Sequence, residues 1–433
     1  MTNQSTTRQS VTQADPTRNT PSGRRILVIC PHFEPDVAPT GVIMTRIVHE
    51  LAASGFEVHV VTALPWYERH EVDVAWKQVT WRNRTEITSW GSIARLNPRG
   101  GGDKTNLFRR AVGFVAFSVA CTVAGLRAAP GKKFDGVLAM SPPLTLGLSA
   151  KCVAVLRRAP LIFNVQDIFP DAVIETGKIT NRAVIAIARV LEKVTYRSAR
   201  IITVLSNDLR DNVLAKLPSH WQSRVVVIPN FVDTVQVQPM DRQTAYRHEL
   251  GIGDQRVVMY AGNVGYSQSL DLMVSAARVR PDVVFVINGQ GSARADLQES
   301  ARDLPNVIFG DFQSADRLAE VLATGDVHVV PLQRGLGRVS VPSKVYSIMA
   351  AGRPILAAVD ADTEVPRLVN TASCGKVVEP DVPTAFIEAL NQIIDDQETC
   401  QVMGENARRY VESVASPAAV GRQYAKVIAD LRS

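Results

Sequence analysis

Two series of short, β-branched apolar runs cross this chain, each alternating with stretches of helical periodicity. The first series is ILVIC (26–30), EVHVVTA (57–63), GVLAM (136–140), LIFNV (161–165), IITVL (201–205) and VVVIP (225–229). These runs are apolar throughout rather than alternating, as strands covered on both faces are. Helical patterns lie between them, 41–54 and 182–198 among others, which predicts a parallel sheet sandwiched by helices. A second series follows: VVMYAG (257–262), VVFVING (283–289), VIFGDF (307–312), VHVVPL (327–332), PILAAV (354–359) and GKVVEP (375–380). The stretch 230–255 between the series is polar and punctuated and reads as a linker. Two or three helices are expected over 384–431.

A chain of 433 residues is too long for one hydrophobic core. The two series therefore predict an α/β protein of two doubly wound, Rossmann-like domains, 24–235 and 236–412. Ligands of such sheets sit beyond the carboxyl ends of the strands, so the cleft between the domains is the expected site. Residues 1–23 are polar and read as a disordered tail, not as a signal peptide. Cys30, Cys121, Cys152, Cys374 and Cys400 are scattered, with no C-x-x-C pair. That argues against a disulfide framework or a zinc site and suits a reducing cytoplasm. A net charge of +6 suits an anionic ligand or an anionic membrane surface. Nucleic acid is not expected as a partner, because zinc-finger spacing, ribonucleoprotein motifs and long basic runs are missing.

The stretch SVPSKVYSIMAAGRPILAAV (340–359) carries the most chemistry. Val345, Ile348 and Met349 share one helical face, so the helix packs by that face. Ser340 or Ser343 can cap it, Pro342 suits its first turn, and Gly352 and Pro354 end it. Its free N–H groups and dipole favour an anion, and Lys344 adds a point charge. Arg334 and Arg338 stand just upstream, so the cluster reads as a diphosphate site. The alternative is a capped core helix with solvated basic neighbours. Gly262 and Gly265 in YAGNVG, and Gly289, Gly291 and Arg294 in INGQGSAR, form two glycine loops after adjacent strands. Either loop alone is a weak signal.

In the first domain, Gly41 ends a proline-rich loop after the first strand and allows close backbone approach. Asp167 ends the strand LIFNV, where catalytic or acceptor-binding groups sit in such folds, though a capping aspartate reads equally well. Ser206 and Asn207 read as a helix cap. The run 111–126 is 16 residues without charge, short of the ~20 that span a bilayer. Basic residues flank it. Segment 104–133 is thus expected either to touch a membrane surface through Phe114 and Phe117 or to be a core helix.

With the PTG loop, VVVIPNFVD, YAGNVG and PSKVYSIMAAGRPILA in place, the chain resembles the family 4 retaining glycosyltransferases over about residues 24–430. SPPLTLG, VQDIFPDAV, VPSK and ASCGKVVEPD are most similar to the bacterial polysaccharide subgroup that includes L-fucosamine transferases. The resemblance implies a GT-B fold with a last helix, 413–433, crossing back to the first domain. It implies a nucleotide-sugar donor, UDP-linked by preference, on the second domain and a lipid-linked glycan acceptor at the cytoplasmic membrane face. It implies no metal and no cofactor. Donor-binding roles fall on Gly41, Gly262, Asn263, Gly265, Gly289, Arg338, Ser343, Lys344 and Glu364. Acceptor binding falls on Ser141 and Asp167, and catalysis on Asp167 and Lys344. Ser340 and Ser347 stand where the family often has two glutamates, Asn263 and Gln268 where it often has a basic pair, and Ser141 where it often has a histidine. A sugar-nucleotide epimerase on the same fold, or a non-catalytic nucleotide-sugar-binding partner at the membrane, are the alternatives.

Overall fold

The computed structural model describes residues 23–67, 71–72, 76, 84–97, 107–171, 181–336 and 344–431. Its first domain runs β1 (Arg25–Ile29), α1 (Pro39–Ala53), β2 (Glu57–Ala63), β3 (Arg84–Thr88), β4 (Gly91–Leu96), α2 (Leu107–Arg127) and β5 (Gly136–Ser141). It continues with α3 (Thr145–Leu156), β6 (Leu161–Val165), α4 (Arg182–Ser198), β7 (Ile201–Val204), α5 (Asn207–Ala215) and β8 (Val225–Val227). These strands pair in the order β3-β4-β2-β1-β5-β6-β7-β8, parallel except for β3 on β4.

The second domain opens with α6 (Ala245–Glu249), β9 (Arg256–Ala261), α7 (Asp271–Val279), β10 (Val283–Asn288), α8 (Arg294–Ser300), β11 (Val307–Gly310) and α9 (Leu318–Thr324). It closes with β12 (Val327–Pro331), α10 (Lys344–Ala350), β13 (Ile355–Ala358), α11 (Glu364–Ala372), β14 (Gly375–Val378), α12 (Pro383–Ile394), α13 (Gln397–Val414) and α14 (Pro417–Asp430). Its strands are all parallel, in the order β11-β10-β9-β12-β13-β14. This is the two-domain Rossmann-like fold that the apolar runs predict. In each sheet the strand order reverses once, between β1 and β5 and between β9 and β12. The loops leaving those strand pairs diverge, and a crevice opens at their carboxyl ends.

The central strands are fully buried, and core residues fill both faces of each sheet. Two features depart from the sequence reading. β3 and β4 were not anticipated, because β3 is an edge strand whose Ile87 faces solvent and whose sequence is mostly polar. The linker also contains α6, and its Arg247 is fully buried. The Arg247 guanidinium donates to the carbonyls of Gly253 (2.8 Å), Thr324 (3.1 Å) and Gln255, so the linker is bolted to the second sheet.

The helix α14 packs on α1 of the first domain. Gly421 faces Glu50 so closely that an added Cβ would lie 2.3 Å from the Glu50 Cβ. Gly421→Val is therefore expected to lower stability by about 1–3 kcal/mol through overpacking. Urea denaturation checks this, and an unshifted midpoint would mean that α14 moves freely aside.

Within α2, Phe117, Cys121 and Ala124 point into the core while Val112, Val115, Val119 and Val123 face out. Phe117 is thus a core side chain, and of the two readings of this segment it follows the core helix, not the membrane contact. The helix is apolar on both faces, and only its packing decides which face is inward.

Candidate active site between the two sheets

The second domain brings its glycine loops and the start of α10 to the crevice beside β9 and β12. Lys344 is the first residue of α10, and its Nζ stands 3.8 Å from the Tyr260 ring centroid. Cation–π attraction favours that position. The residue is half-buried, and its ammonium has no acceptor or carboxylate in reach among the described residues. Burial pushes its pKa down to about 7. Gly262 makes room for it. Its φ is +150°, and a Cβ there would lie 2.9 Å from the Lys344 Nζ. Gly289, at φ +147°, stacks on the Gly262 carbonyl, 1.8 Å from where its own Cβ would sit. The two loops therefore pack backbone on backbone.

The other polar groups of these loops are largely engaged. Tyr260 donates its hydroxyl to the Asn263 backbone carbonyl at 2.5 Å, and Asn263 itself is exposed. Gly265 donates its N–H to Gln268 Oε1 at 3.0 Å. Arg294 donates to the Gly310 carbonyl (3.0 Å) and to that of Gly289, and pairs with Asp311 at 3.0 Å. It braces the loops from beneath. Arg334 turns outward to Glu379 at 3.4 Å and to the Pro380 carbonyl at 3.2 Å. Arg338, Ser340 and Ser343 lie outside the described residues. Lys344 is thus the cation that this part of the site leaves without a counter-charge among the described residues.

On the first domain, Ser141 ends β5, fully buried, and its hydroxyl has no hydrogen-bond partner among the described residues. Asp167 follows β6 and opens toward solvent, yet enough protein surrounds it for desolvation to hold its carboxyl above the ordinary value. The backbone before it is held from below. Gln166 is buried, donates to Asn164 Oδ1 at 2.8 Å and accepts from Asn230 Nδ2 at 3.0 Å. Asn164 in turn donates to the Tyr424 hydroxyl at 2.8 Å and to Thr203 Oγ1 at 3.1 Å. One chain of hydrogen bonds therefore runs from α14 through β6 to Asn230, beyond β8, and rigidifies the strand end that carries Asp167.

His32 was missed by the sequence reading. Its Nδ1 is 2.7 Å from Asp36 Oδ2, its ring stacks on Trp66, and the other Asp36 oxygen accepts the Tyr67 N–H at 3.2 Å. A carboxylate only accepts, so Nδ1 carries the proton. Gly41, in the first turn of α1, lets the helix start pack on this loop, since a Cβ there would lie 2.8 Å from the His32 Cβ. A histidine four residues before an aspartate at a strand end was the available signal.

The two domains meet through α5 and α11. Ser206 caps α5 as read, accepting from the Leu209 N–H at 3.2 Å. Asn207 donates its N–H to Glu364 Oε2 at 3.2 Å, and Glu364 donates its N–H to Asp208 Oδ2 at 3.0 Å. Arg367 pairs with both carboxylates. Two helix N-termini therefore face each other, and each is neutralised by the other's first-turn acid. In this arrangement the Glu364 carboxylate bridges the domains.

A second hollow of about 530 Å³ lies at the opposite, amino edge of the second sheet, lined by Arg242, Arg256, Arg353 and Arg408. Its arginines serve backbone carbonyls: Arg408 those of Thr234, Val237 and Ala350, and Arg353 those of Met240 and Ala323. They staple the linker and the ends of α9 and α10 to the second domain, and offer an anion little. Among the described residues, no group of three or more His, Cys, Asp or Glu could hold a metal ion.

Comparisons with known proteins cover nearly the whole of this architecture. The profile of glycosyl transferases group 1 matches residues 242–410, and that of the glycosyl transferase 4-like domain matches 40–230. The chain is 28% identical over 384 residues to a protein of Escherichia coli K12 named for colanic acid biosynthesis, the glycosyl transferase WcaI, covering 86% of this chain and 92% of that one. Its fold matches sucrose-phosphate synthase from Thermosynechococcus elongatus with a TM-score of 0.65 at 18% identity, over 94% of this chain and 99% of that chain. It also matches HepE of Anabaena in complex with UDP-glucose, with a TM-score of 0.60 at 14% identity, over 94% and 99% of the two chains.

Proposed function

The chain belongs to the group 1 glycosyl transferases of the family 4, GT-B kind, and on that footing we propose that it is a retaining transferase that moves a sugar from UDP to a lipid-linked glycan. The product is a precursor of a cell-surface polysaccharide, made at the cytoplasmic face of the membrane. The observation that carries this reading is Lys344: a half-buried, desolvated ammonium, unmatched among the described residues, at the switch point of the second sheet.

The chemistry follows from charge. As the bond from the anomeric carbon to the diphosphate oxygen breaks, negative charge grows on the diphosphate. A fixed cation in a dry site stabilises that charge more than it stabilises the bound donor. Lys344 supplies the cation, Gly262 makes room for its ammonium, and Arg338 and Ser343, which precede it in the sequence, are the further donors of this reading. Asp167, across the cleft, accepts the hydrogen bond of the incoming hydroxyl and can take its proton, a role helped by its raised pKa. Ser141, whose hydroxyl is fully buried beneath this strand end, is not a direct acceptor contact in this arrangement. The UDP-glucose complex of HepE and the colanic acid assignment of WcaI support the choice of donor and pathway class.

The test is a panel of UDP-, GDP- and TDP-sugars, each with and without polyprenyl-diphosphate-linked acceptors, read for nucleotide release and product linkage. Release is expected with a UDP-sugar and a lipid-linked acceptor together, with the anomeric configuration kept. Absence of release in every combination rejects the transferase; an inverted linkage rejects retention; turnover of the donor without acceptor favours an epimerase.

A further inference from the structure

Three helices, α2, α3 and α4, lie side by side on one face of the first domain, with α3 packed between the other two. Ser118 bonds Thr145 and Thr122 bonds Ser149, both at 2.9 Å, across the α2–α3 seam. An added Cβ on Gly147 would lie 2.2 Å from Thr195, so α3 and α4 approach closely there. Each helix presents apolar side chains to solvent. On α2 they are Val112, Val115, Val119 and Val123, and on α3 Val155 and Leu156. On α4, Ile187 is 70% exposed and Val190 63%, with Val184 and Val194 beside them. At 100° per residue, Ile187, Val190 and Val194 fall within about 60° of one another, a continuous ridge. An apolar face spread over three adjacent helices exceeds the scattered surface hydrophobes of an ordinary monomer.

The charges on this face have one sign. Arg182, Arg189, Lys193 and Arg197 are all exposed along one flank of the α4 ridge. Arg127 is exposed at the end of α2 and Arg158 just after α3. The only acid in the three helices is Glu192, which is buried and bonded to Lys216 Nζ at 2.6 Å. A protein partner or a second copy of this chain would have to leave that positive flank unmatched or bring its own acids to it. An anionic bilayer surface matches both parts at once: acyl chains for the valines, headgroup phosphates for the arginines. No helix of the described residues is long and apolar enough to cross a membrane, which is consistent with a surface contact rather than a span.

We infer that the α2–α3–α4 face docks this protein on an anionic phospholipid surface, with the α4 ridge as its main apolar element. The topology gives the contact a use. These helices run antiparallel to the strands they follow or precede, so their N-termini lie at the carboxyl edge of the sheet, where Ser141 and Asp167 stand. Docking by this face sets the acceptor side of the cleft next to the headgroups. That consequence rests on the transferase reading, whereas the docking itself does not.

The experiment is sedimentation of the full chain with phosphatidylcholine vesicles and with vesicles in which a third of the lipid is phosphatidylglycerol, without any substrate. Binding is expected on the anionic vesicles and is expected to weaken as salt rises. The double variant Ile187→Glu/Val190→Glu, at exposed positions, should keep its circular dichroism spectrum and lose vesicle affinity by at least ~10-fold, since two apolar contacts are replaced by like-signed repulsion from the lipid. Arg189→Ala/Lys193→Ala should lose the preference for anionic lipid. Equal binding to neutral vesicles, no binding to either, or unchanged affinity of the double variant overturns the inference. So does a wild-type dimer in light scattering that the double variant abolishes, because that assigns the face to a second copy.

Discussion

Lys344→Ala is expected to cut turnover by at least ~10²-fold while leaving the fold intact. The size follows from the role: one preorganised cation aimed at charge that grows only in the transition state is worth about 3 kcal/mol or more in a dry site. The intact fold follows from the same burial. The ammonium is pushed from 10.5 down to about 7 by desolvation, so the folded chain holds that proton less well than the unfolded one. Below pH 10.5 the buried amine therefore opposes folding, and folding stability rises with pH between about 7 and 10.5. Lys344→Met should remove that opposition and raise the melting temperature at pH 7 even as activity falls. A lysine that lowers stability and raises rate is what a functional site predicts. Near-normal turnover in Lys344→Ala, or a melting temperature that falls, would return Lys344 to a purely structural role.

The second large effect is on donor binding as pH changes. In the free protein Lys344 loses its proton near pH 7. A bound diphosphate favours the charged form and raises that value. Above pH 7, binding must then take up one proton, so affinity for UDP falls about tenfold per pH unit until the pKa of the bound state is reached. Titration calorimetry at pH 8.5 in two buffers of different ionisation enthalpy reads the proton directly. The expected uptake approaches one, and Lys344→Met should show close to none. Equal affinity at pH 7 and pH 9 would mean that the diphosphate is held by groups other than Lys344.

Much of the fold was legible because its signals are local. Apolar runs such as LIFNV and VHVVPL mark doubly covered strands by their composition, and six of them in each half imply two parallel sheets. The edge pair β3 and β4 escaped because an edge strand that is half wet needs no such run. At the site, Lys344 at a helix start was visible, and so was the cap at Ser206. His32 was not, because its meaning depends on Asp36, Trp66 and Tyr67 closing round it. Glu364 was readable as an acid near the donor loops. Its pairing with Asn207 and Arg367 joins residues more than 150 positions apart in one case and three in the other, and only the first of these needed the fold.

The sequence by itself determined the two Rossmann-like halves and a cationic helix start at Lys344, because hydrophobic periodicity, capping and charge act over a few residues. The tertiary structure decided that Lys344 lies over Tyr260 with no acid in reach among the described residues, that α5 and α11 cap each other, and that α2 buries Phe117 and exposes its valines. Each of these depends on which distant surfaces meet, and a chain apolar on two faces carries no local mark of the face that will find a partner.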